Sequence, residues 1–260
     1  PLWGYCNEAD SYVMEMQIAA AADHGVNVFI YDWYWYDGRP FLEQCLNNGY
    51  LKARNNDRVR FYLMWANHDV THIWDKRIAH ITDNVIWRAS VGRREFERVA
   101  LRLIDRYFTH PSYYCIDGKP VLMIYDLNKL VSGLGGVDAT ADALAWWRQQ
   151  AVEAGLEGLH LQLTSWGADH LNLSGVDAGA AAAPNATVRR LGFDSQTHYQ
   201  WVHFADIDRD YTEIIPDVVK EWALMDETYD IPYFPHVSIG WDNNPRYQGF
   251  RPGVVKNNTP

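Results

Sequence analysis

Cysteine is scarce in this 260-residue chain. The three present (Cys6, Cys45, Cys115) are too few, too widely spaced and odd in number to form a disulfide framework or a zinc site, and they read as buried structural thiols. Positive charge is also in deficit: 23 Lys and Arg stand against 33 Asp and Glu, a net charge of -10. A surface of that sign argues against nucleic acid as a partner, because phosphate binding needs a basic face. No run of about 18 apolar residues occurs, so no segment reads as a membrane span. The longest small-apolar stretch, Gly179 to Ala183, is too short to count. The start, Pro1-Leu2-Trp3-Gly4, is neither basic nor followed by an apolar core; it does not read as a secretory signal, and localisation stays unassigned.

Aromatic residues are abundant: 12 Trp, 16 Tyr and 9 Phe. Some belong to an ordinary core, such as Trp146-Trp147 and Trp222 in helical segments. A core does not account for Val26 to Asp37, where an apolar run ends in Asp32 surrounded by Tyr31, Trp33, Tyr34 and Trp35. Aromatic faces cover the apolar faces of a sugar or other ring while a carboxylate holds its hydroxyls. Similar endings recur at Trp65-Ala66-Asn67-His68, Tyr125-Asp126, Ser165-Trp166, Asp194-Ser195 and Trp241-Asp242.

The apolar periodicity predicts helices at 9–24, 40–53, 93–108, 138–154 and 211–229, with a weak Ala-rich helix within 169–188. Pro40 reads as the opening of the second helix. Strands are predicted at 26–33, 59–65, 120–125, 159–164, 190–193 and 233–240. Alternating strands and helices mean parallel strands with helices packed outside. An open doubly wound sheet and a (β/α)8 TIM-type barrel both satisfy that pattern. Functional-looking residues after every strand favour the barrel, whose site gathers all the C-terminal strand ends. Six strands are two short of a closed barrel, so the expectation is a single barrel domain over 1–260 lacking its first and last strands.

Several residues read two ways. Asp32 contacts substrate or is a buried hydrogen-bonding support. Asp126 is catalytic or caps the next helix, and Asp194 carries the same ambiguity. Asp242 contacts substrate or pairs with Arg246. Asn67 and His68 recognise sugar hydroxyls or anchor a loop. Trp33, Trp65, Trp166 and Trp241 are candidate stacking platforms. His68 and His72 have helical ligand spacing without the Glu of a His-Glu-x-x-His site, and His198 and His203 fit no ligand spacing, so no metal or cofactor is assigned. Gly133-Leu134-Gly135-Gly136 lacks the Lys-Ser/Thr of a phosphate loop and reads as a flexible loop.

Pro1-Leu2-Trp3-Gly4-Tyr5, Tyr31-Asp32-Trp33-Tyr34-Trp35, Met64-Trp65-Ala66-Asn67-His68 and Gly240-Trp241-Asp242-Asn243-Asn244-Pro245-Arg246 together resemble the glycoside hydrolase family 99-like, or WbsX-like, group across nearly the whole chain. The resemblance implies a (β/α)8 barrel acting on an oligo- or polysaccharide, an α-linked and mannose-containing glycan. It also implies catalysis by two glutamates near the last strand, in a Trp-Asn-Glu-Trp type segment that this sequence does not contain. On that reading Asp32, Asp126 and Asp242 are the catalytic candidates. Tyr31, Trp33, Trp35, Trp65, Asn67, His68, Tyr125, Trp166, His198, Trp241 and Arg246 are the substrate-binding candidates. A non-catalytic glycan-binding or surface-polysaccharide accessory protein is the alternative, and a metal-dependent barrel hydrolase a distant third. Oligomeric state is unassigned.

Overall fold

The computed structural model describes residues 3–71, 77, 85–168, 171, 173, 175–247 and 249–259, the side chain of Arg246 excepted. The Arg246 side chain and His72 therefore lie outside the described residues. In chain order the elements are helix α1 (Ser11–Asp23), strands β1 (Val28–Tyr36), β2 (Arg39–Phe41), β3 (Arg60–Trp65), β4 (Val70–Thr71) and β5 (Val85–Trp87), and helix α2 (Arg93–Leu103). Strands β6 (Cys115–Ile116) and β7 (Lys119–Ile124), helices α3 (Leu127–Leu134) and α4 (Val137–Glu153) and strand β8 (His160–Ser165) follow. Helices α5 (Ala178–Ala181) and α6 (Pro184–Leu191), strand β9 (Ser195–His198), helix α7 (Tyr211–Thr228) and strand β10 (Tyr233–Phe234) complete the series.

These elements fall into two compact units. One comprises Pro1–Ala66, Arg93–Met123 and Ala145–His160; the other comprises Asn67–Gly92, Ile124–Leu144 and Leu161–Pro260. Each unit is assembled from three separate stretches, which is why no shift of composition marks a boundary.

In the first unit β1 and β3 run parallel, in register from Val28 opposite Arg60 to Trp33 opposite Trp65, and β7 lies beside β3. Hairpins β1–β2 and β6–β7 close through Asp37-Gly38 and Asp117-Gly118. All four turn residues have positive φ (48°, 75°, 51° and 73°), the backbone of the tight Asp-Gly hairpin turn. The first turn corrects the helix predicted over 40–53: it folds Pro40 back as an edge residue of β2 opposite Trp35. Only a π-helical turn at Cys45–Gly49 and a 3-10 turn at Tyr50–Lys52 remain of that helix. Helix α2 buries Phe96, Val99, Ala100 and Leu103, an i, i+3, i+4, i+7 stripe against the core.

In the second unit β8, β9 and β10 run parallel, with Gln162 opposite Ser195, Ser165 opposite His198 and Tyr233 opposite Gln196. Asp126 caps α3, accepting the Lys129 N–H, and Gly135 ends the helix in the left-handed region. The glycine-rich stretch from 133 is thus the end of a helix and not a flexible loop. A Cβ on Gly133 would lie 2.6 Å from the Val91 carbonyl oxygen, so this glycine permits a close helix-to-backbone approach. The strand expected at 190–193 is the end of α6, stopped by Gly192 with φ of 75°; the strand itself begins at Ser195. That expected at 233–240 is reduced to Tyr233–Phe234.

The result is a mixed α/β fold with parallel strand pairing. Five of the six predicted strands overlap β1, β3, β7, β8 and β10, and the one predicted at 190–193 falls just before β9. All three cysteines are free, but Cys6 is exposed and Cys45 and Cys115 are only half-buried, contrary to the expectation of buried thiols. No described helix is long and apolar enough to cross a membrane.

Candidate functional site

Strand β1 splits its aromatic block by parity, because successive side chains point to opposite faces. Tyr31, Trp33 and Trp35 point into the first unit's core, whereas Ile30 and Asp32 are exposed, Ile30 at 49%. Trp33 is 2% exposed, stacks on Trp35 at 5.7 Å and donates its indole N–H to Glu43 Oε1 at 2.8 Å. Trp35 donates to Glu95 Oε1 at 2.6 Å. Tyr31 sits edge-on to Tyr50 and Phe61 and donates to Met14 Sδ. Burial pushes its hydroxyl pKa up. Trp65, 1% exposed, packs on Phe96 and Trp147. These four side chains therefore serve as core, and their ring faces are used in packing. Asp32 keeps its exposed position, with the Tyr34 hydroxyl 3.4 Å from Oδ2.

The strand-end residues of the second unit converge instead. The His68 ring meets Tyr125 edge-to-face at 5.6 Å, and Tyr125 packs on Trp166 at 5.6 Å and on Tyr199 at 5.0 Å. Trp166 in turn lies 4.7 Å from His203 at an interplanar angle of 30°, and His203 stacks on Tyr199 at 6.1 Å. This half-buried crown of rings draws one side chain from beyond the end of β3, one each from just after β7 and β8, and two from after β9. Burial pushes the His203 pKa down. Its Nε2 is buried with no hydrogen-bond partner among the described residues, leaving a neutral imidazole with an unused polar atom inside an aromatic cluster.

Other candidates hold the crown in place. Asn67 donates from Nδ2 to the Asp126 carbonyl at 2.7 Å and accepts the Asp126 N–H on Oδ1 at 2.8 Å. Both ends of its amide are spent on the backbone of one residue, so it works as a loop clamp. Asp126 caps α3, with Oδ1 3.0 Å from the Lys129 nitrogen. Burial pushes its carboxyl pKa up despite that bond and the Lys129 charge. Asp69 accepts the Ala89 N–H and pairs with Lys129 at 2.7 Å.

His198 is displaced from the crown by the parity of β9. It is buried, with Nδ1 2.7 Å from the Tyr233 hydroxyl and Nε2 3.5 Å from Glu221 Oε1, which accepts the Ala168 N–H at 2.5 Å. Burial, helped by the neighbouring His236 and His203, pushes its pKa down to about 3. The Glu221 contact is therefore not an ion pair at neutral pH, and His198 Nε2 is buried without a hydrogen bond among the described residues.

Asp194 precedes β9 instead of ending a strand, and it exchanges bonds with Leu161, each at 2.8 Å. Trp241 packs half-buried on the cluster of Trp201, Ile207, Ile214, Val218 and Val255, and Asp242 accepts the Asn244 backbone N–H at 2.8 Å. Among the described residues no group of three His, Cys, Asp or Glu side chains is placed to hold a metal ion.

The family model described as Glycosyltransferase WbsX matches residues 3–260. The chain belongs to that family. It is similar to a curated protein of Xanthomonas campestris pv. campestris, "Uncharacterized protein WxcX". Identity is 26% over 238 residues in strain ATCC 33913 and 26% over 241 residues in strain B100, covering 91% of this chain and 31% of each relative. The chain thus spans less than a third of the length of those relatives. Among solved structures it is similar to a "Glycoside hydrolase-like protein", with a TM-score of 0.61 and 17% identity over 98% of this chain and 71% of that one. It is also similar to a GH99 endo-alpha-mannosidase from Bacteroides thetaiotaomicron in complex with BIS-TRIS-propane, with a TM-score of 0.52 and 14% identity over 96% of this chain and 65% of that one. At these identities the structural likeness speaks to the fold alone.

Within this WbsX-family chain, the crown contains two residues that the sequence reading did not select, Tyr199 and His203. The signal was present in His198-Tyr199-Gln200-Trp201-Val202-His203, but with the strand placed at 190–193 these residues carried no strand-end meaning.

Proposed function

We propose that this chain recognises a glycan at the aromatic crown of its second unit, as part of a protein that makes or breaks glycosidic bonds in a polysaccharide. The observation that carries this reading is the gathering of His68, Tyr125, Trp166, Tyr199 and His203 around an unpartnered buried imidazole nitrogen. Rings supply apolar platforms for pyranose faces. The neutral His203 accepts a sugar hydroxyl without the cost of desolvating a charge. The glycan is α-linked and mannose-containing, a reading supported by the likeness to a GH99 endo-alpha-mannosidase.

Hydrolysis is supported by the glycoside hydrolase names among the fold neighbours, and Asp126 is the acid candidate because burial favours its protonated form. A two-carboxylate mechanism sets its carboxyl groups about 5–9.5 Å apart, and Asp126 would supply one of them. Transfer or accessory binding in polysaccharide synthesis is the second reading, favoured by the family description. Screening the chain against an array of bacterial polysaccharides and α-linked oligosaccharides tests the shared claim. Retention of α-linked glycans is expected, and retention of none would overturn it. Product release would then select hydrolysis over binding.

A further inference from the structure

The Gly240-Trp241-Asp242 motif belongs to a different construction within the second unit. Ile239, Gly240, Trp241, Asp242, Val254, Val255 and Asn258 line a groove of about 560 Å³, within the range of small-molecule sites and roomy enough for one or two sugar rings. We propose that this groove is a second carbohydrate subsite, taking a neutral pyranose unit; the inference rests on the reading of the chain as a glycan-recognising protein.

Its walls have the required chemistry. Ile239 is 85% exposed, a large apolar side chain left in water at the rim, and Val254 and Val255 continue the apolar lining. Asp242 Oδ1 receives both the backbone N–H and the side-chain amide of Asn244, each at 2.8 Å, while no described residue is bonded to Oδ2. Those bonds from Asn244 pull the Asp242 pKa down, so the carboxylate is an acceptor for sugar hydroxyls at neutral pH. Asn258 spends Nδ2 on the Ile239 carbonyl at 2.9 Å, and its amide oxygen is bonded to no described residue.

The groove is also pre-organised, which lowers the entropy cost of binding. Asn244 brackets Arg251, accepting its N–H at 2.6 Å and donating to its carbonyl at 3.2 Å. Val255 donates to the Trp241 carbonyl at 3.1 Å, and Lys256 exchanges backbone bonds with Arg209 and Tyr211. The fit is close: a Cβ on Gly240 would lie 2.3 Å from Asn258 Nδ2. The ligand is neutral because the lining contributes a carboxylate and no cation. Among the described residues the adjacent cations are occupied, Lys256 by Asp208 at 3.1 Å and Arg251 over the Tyr247 ring at 3.8 Å.

The test is residue-resolved NMR of the isotope-labelled chain titrated with α-1,2-mannobiose, maltose and, as an acidic probe, D-glucuronate. A neutral disaccharide should shift the Gly240, Asp242 and Asn258 amides and the Trp241 indole in a saturable way. Asp242→Asn should weaken that response at least tenfold. Gly240→Ala, which displaces Asn258, should do the same and serves as the second variant if Asp242→Asn misfolds. Shifts confined to Tyr125, Trp166 and His203 would overturn the groove while leaving the crown standing. An absence of shifts at both places would overturn both. Tighter binding of glucuronate, or unchanged affinity in both variants, would overturn the neutral-sugar assignment.

Discussion

Glu43 should be the acid on which the first unit's core depends, although nothing in the sequence marks it. Its carboxylate receives Trp33 Nε1–H, the Tyr107 hydroxyl, two bonds from Arg102 Nη2 and one from Asn47 Nδ2, at 2.7–3.2 Å. The side chains of Arg102 and Glu43 are 25% and 12% exposed. Glu43→Ala would leave the indole, the hydroxyl and much of the guanidinium without partners, a loss of about 3–5 kcal/mol for a broken buried pair. Glu43→Gln keeps an oxygen for Trp33 and Tyr107 but loses the charge opposite Arg102, and should cost about 1–3 kcal/mol. Burial alone would raise the Glu43 pKa; the bonds from Arg102, Trp33 and Tyr107 outweigh it and hold it below the usual value. The ionised form is therefore favoured by folding. That stability is fully present above the unfolded value of about 4.3 and is lost as pH falls through the lower folded value. Urea unfolding from pH 7 to pH 3 should show a constant gap between wild type and Glu43→Gln above about pH 5, closing below it. A Glu43→Ala protein within about 1 kcal/mol of wild type at pH 7 would refute the reasoning.

Three further outcomes follow from the geometry. Asn67→Ala should lower stability by about 2–4 kcal/mol, because it strands the buried N–H and carbonyl of Asp126; a thermal melt reads this, and loss of glycan binding at unchanged stability would instead make Asn67 a sugar contact. Asp32→Asn, at an exposed position, should leave stability within about 0.5 kcal/mol of wild type in a urea melt; a loss well beyond that would make Asp32 structural. His198 should remain neutral from pH 8 down to pH 4, seen as a flat imidazole NMR signal. Its folded pKa of about 3 lies below the unfolded value of about 6.5, so it withdraws stability as pH falls between those values. A midpoint near 6 would contradict the buried placement.

The order of strands and helices was legible because buried strands and amphipathic helices carry their own periods. Phe96, Val99 and Leu103 marked α2, and Val121 to Ile124 marked β7. Local turn chemistry was under-read. Asp37-Gly38 outweighed Pro40 as a signal and turned a predicted helix into a hairpin, and Gly192, taken as part of a strand, is a helix stop. That second error displaced β9 and hid Tyr199 and His203. In the second unit the aromatic residues that follow strands, Tyr125 and Trp166, were legible as members of one ring cluster. The same signal misled at Trp33, Trp35 and Trp65, because clustering in sequence does not say which face of a strand a ring occupies. Parity assigns them to the core and leaves Asp32 on the opposite face. Capping made Asp126 ambiguous from sequence, and the observed bond to Lys129 shows that it caps α3.

The most direct test of glycan recognition at the crown is calorimetric titration of wild type, Trp166→Ala and His203→Phe with an α-linked mannose oligosaccharide. The account predicts measurable binding by wild type and at least a tenfold loss in each variant, about 1.4 kcal/mol, with melting temperatures that stay close to wild type. Undiminished affinity in both variants, or no binding by a folded wild-type chain, would contradict it.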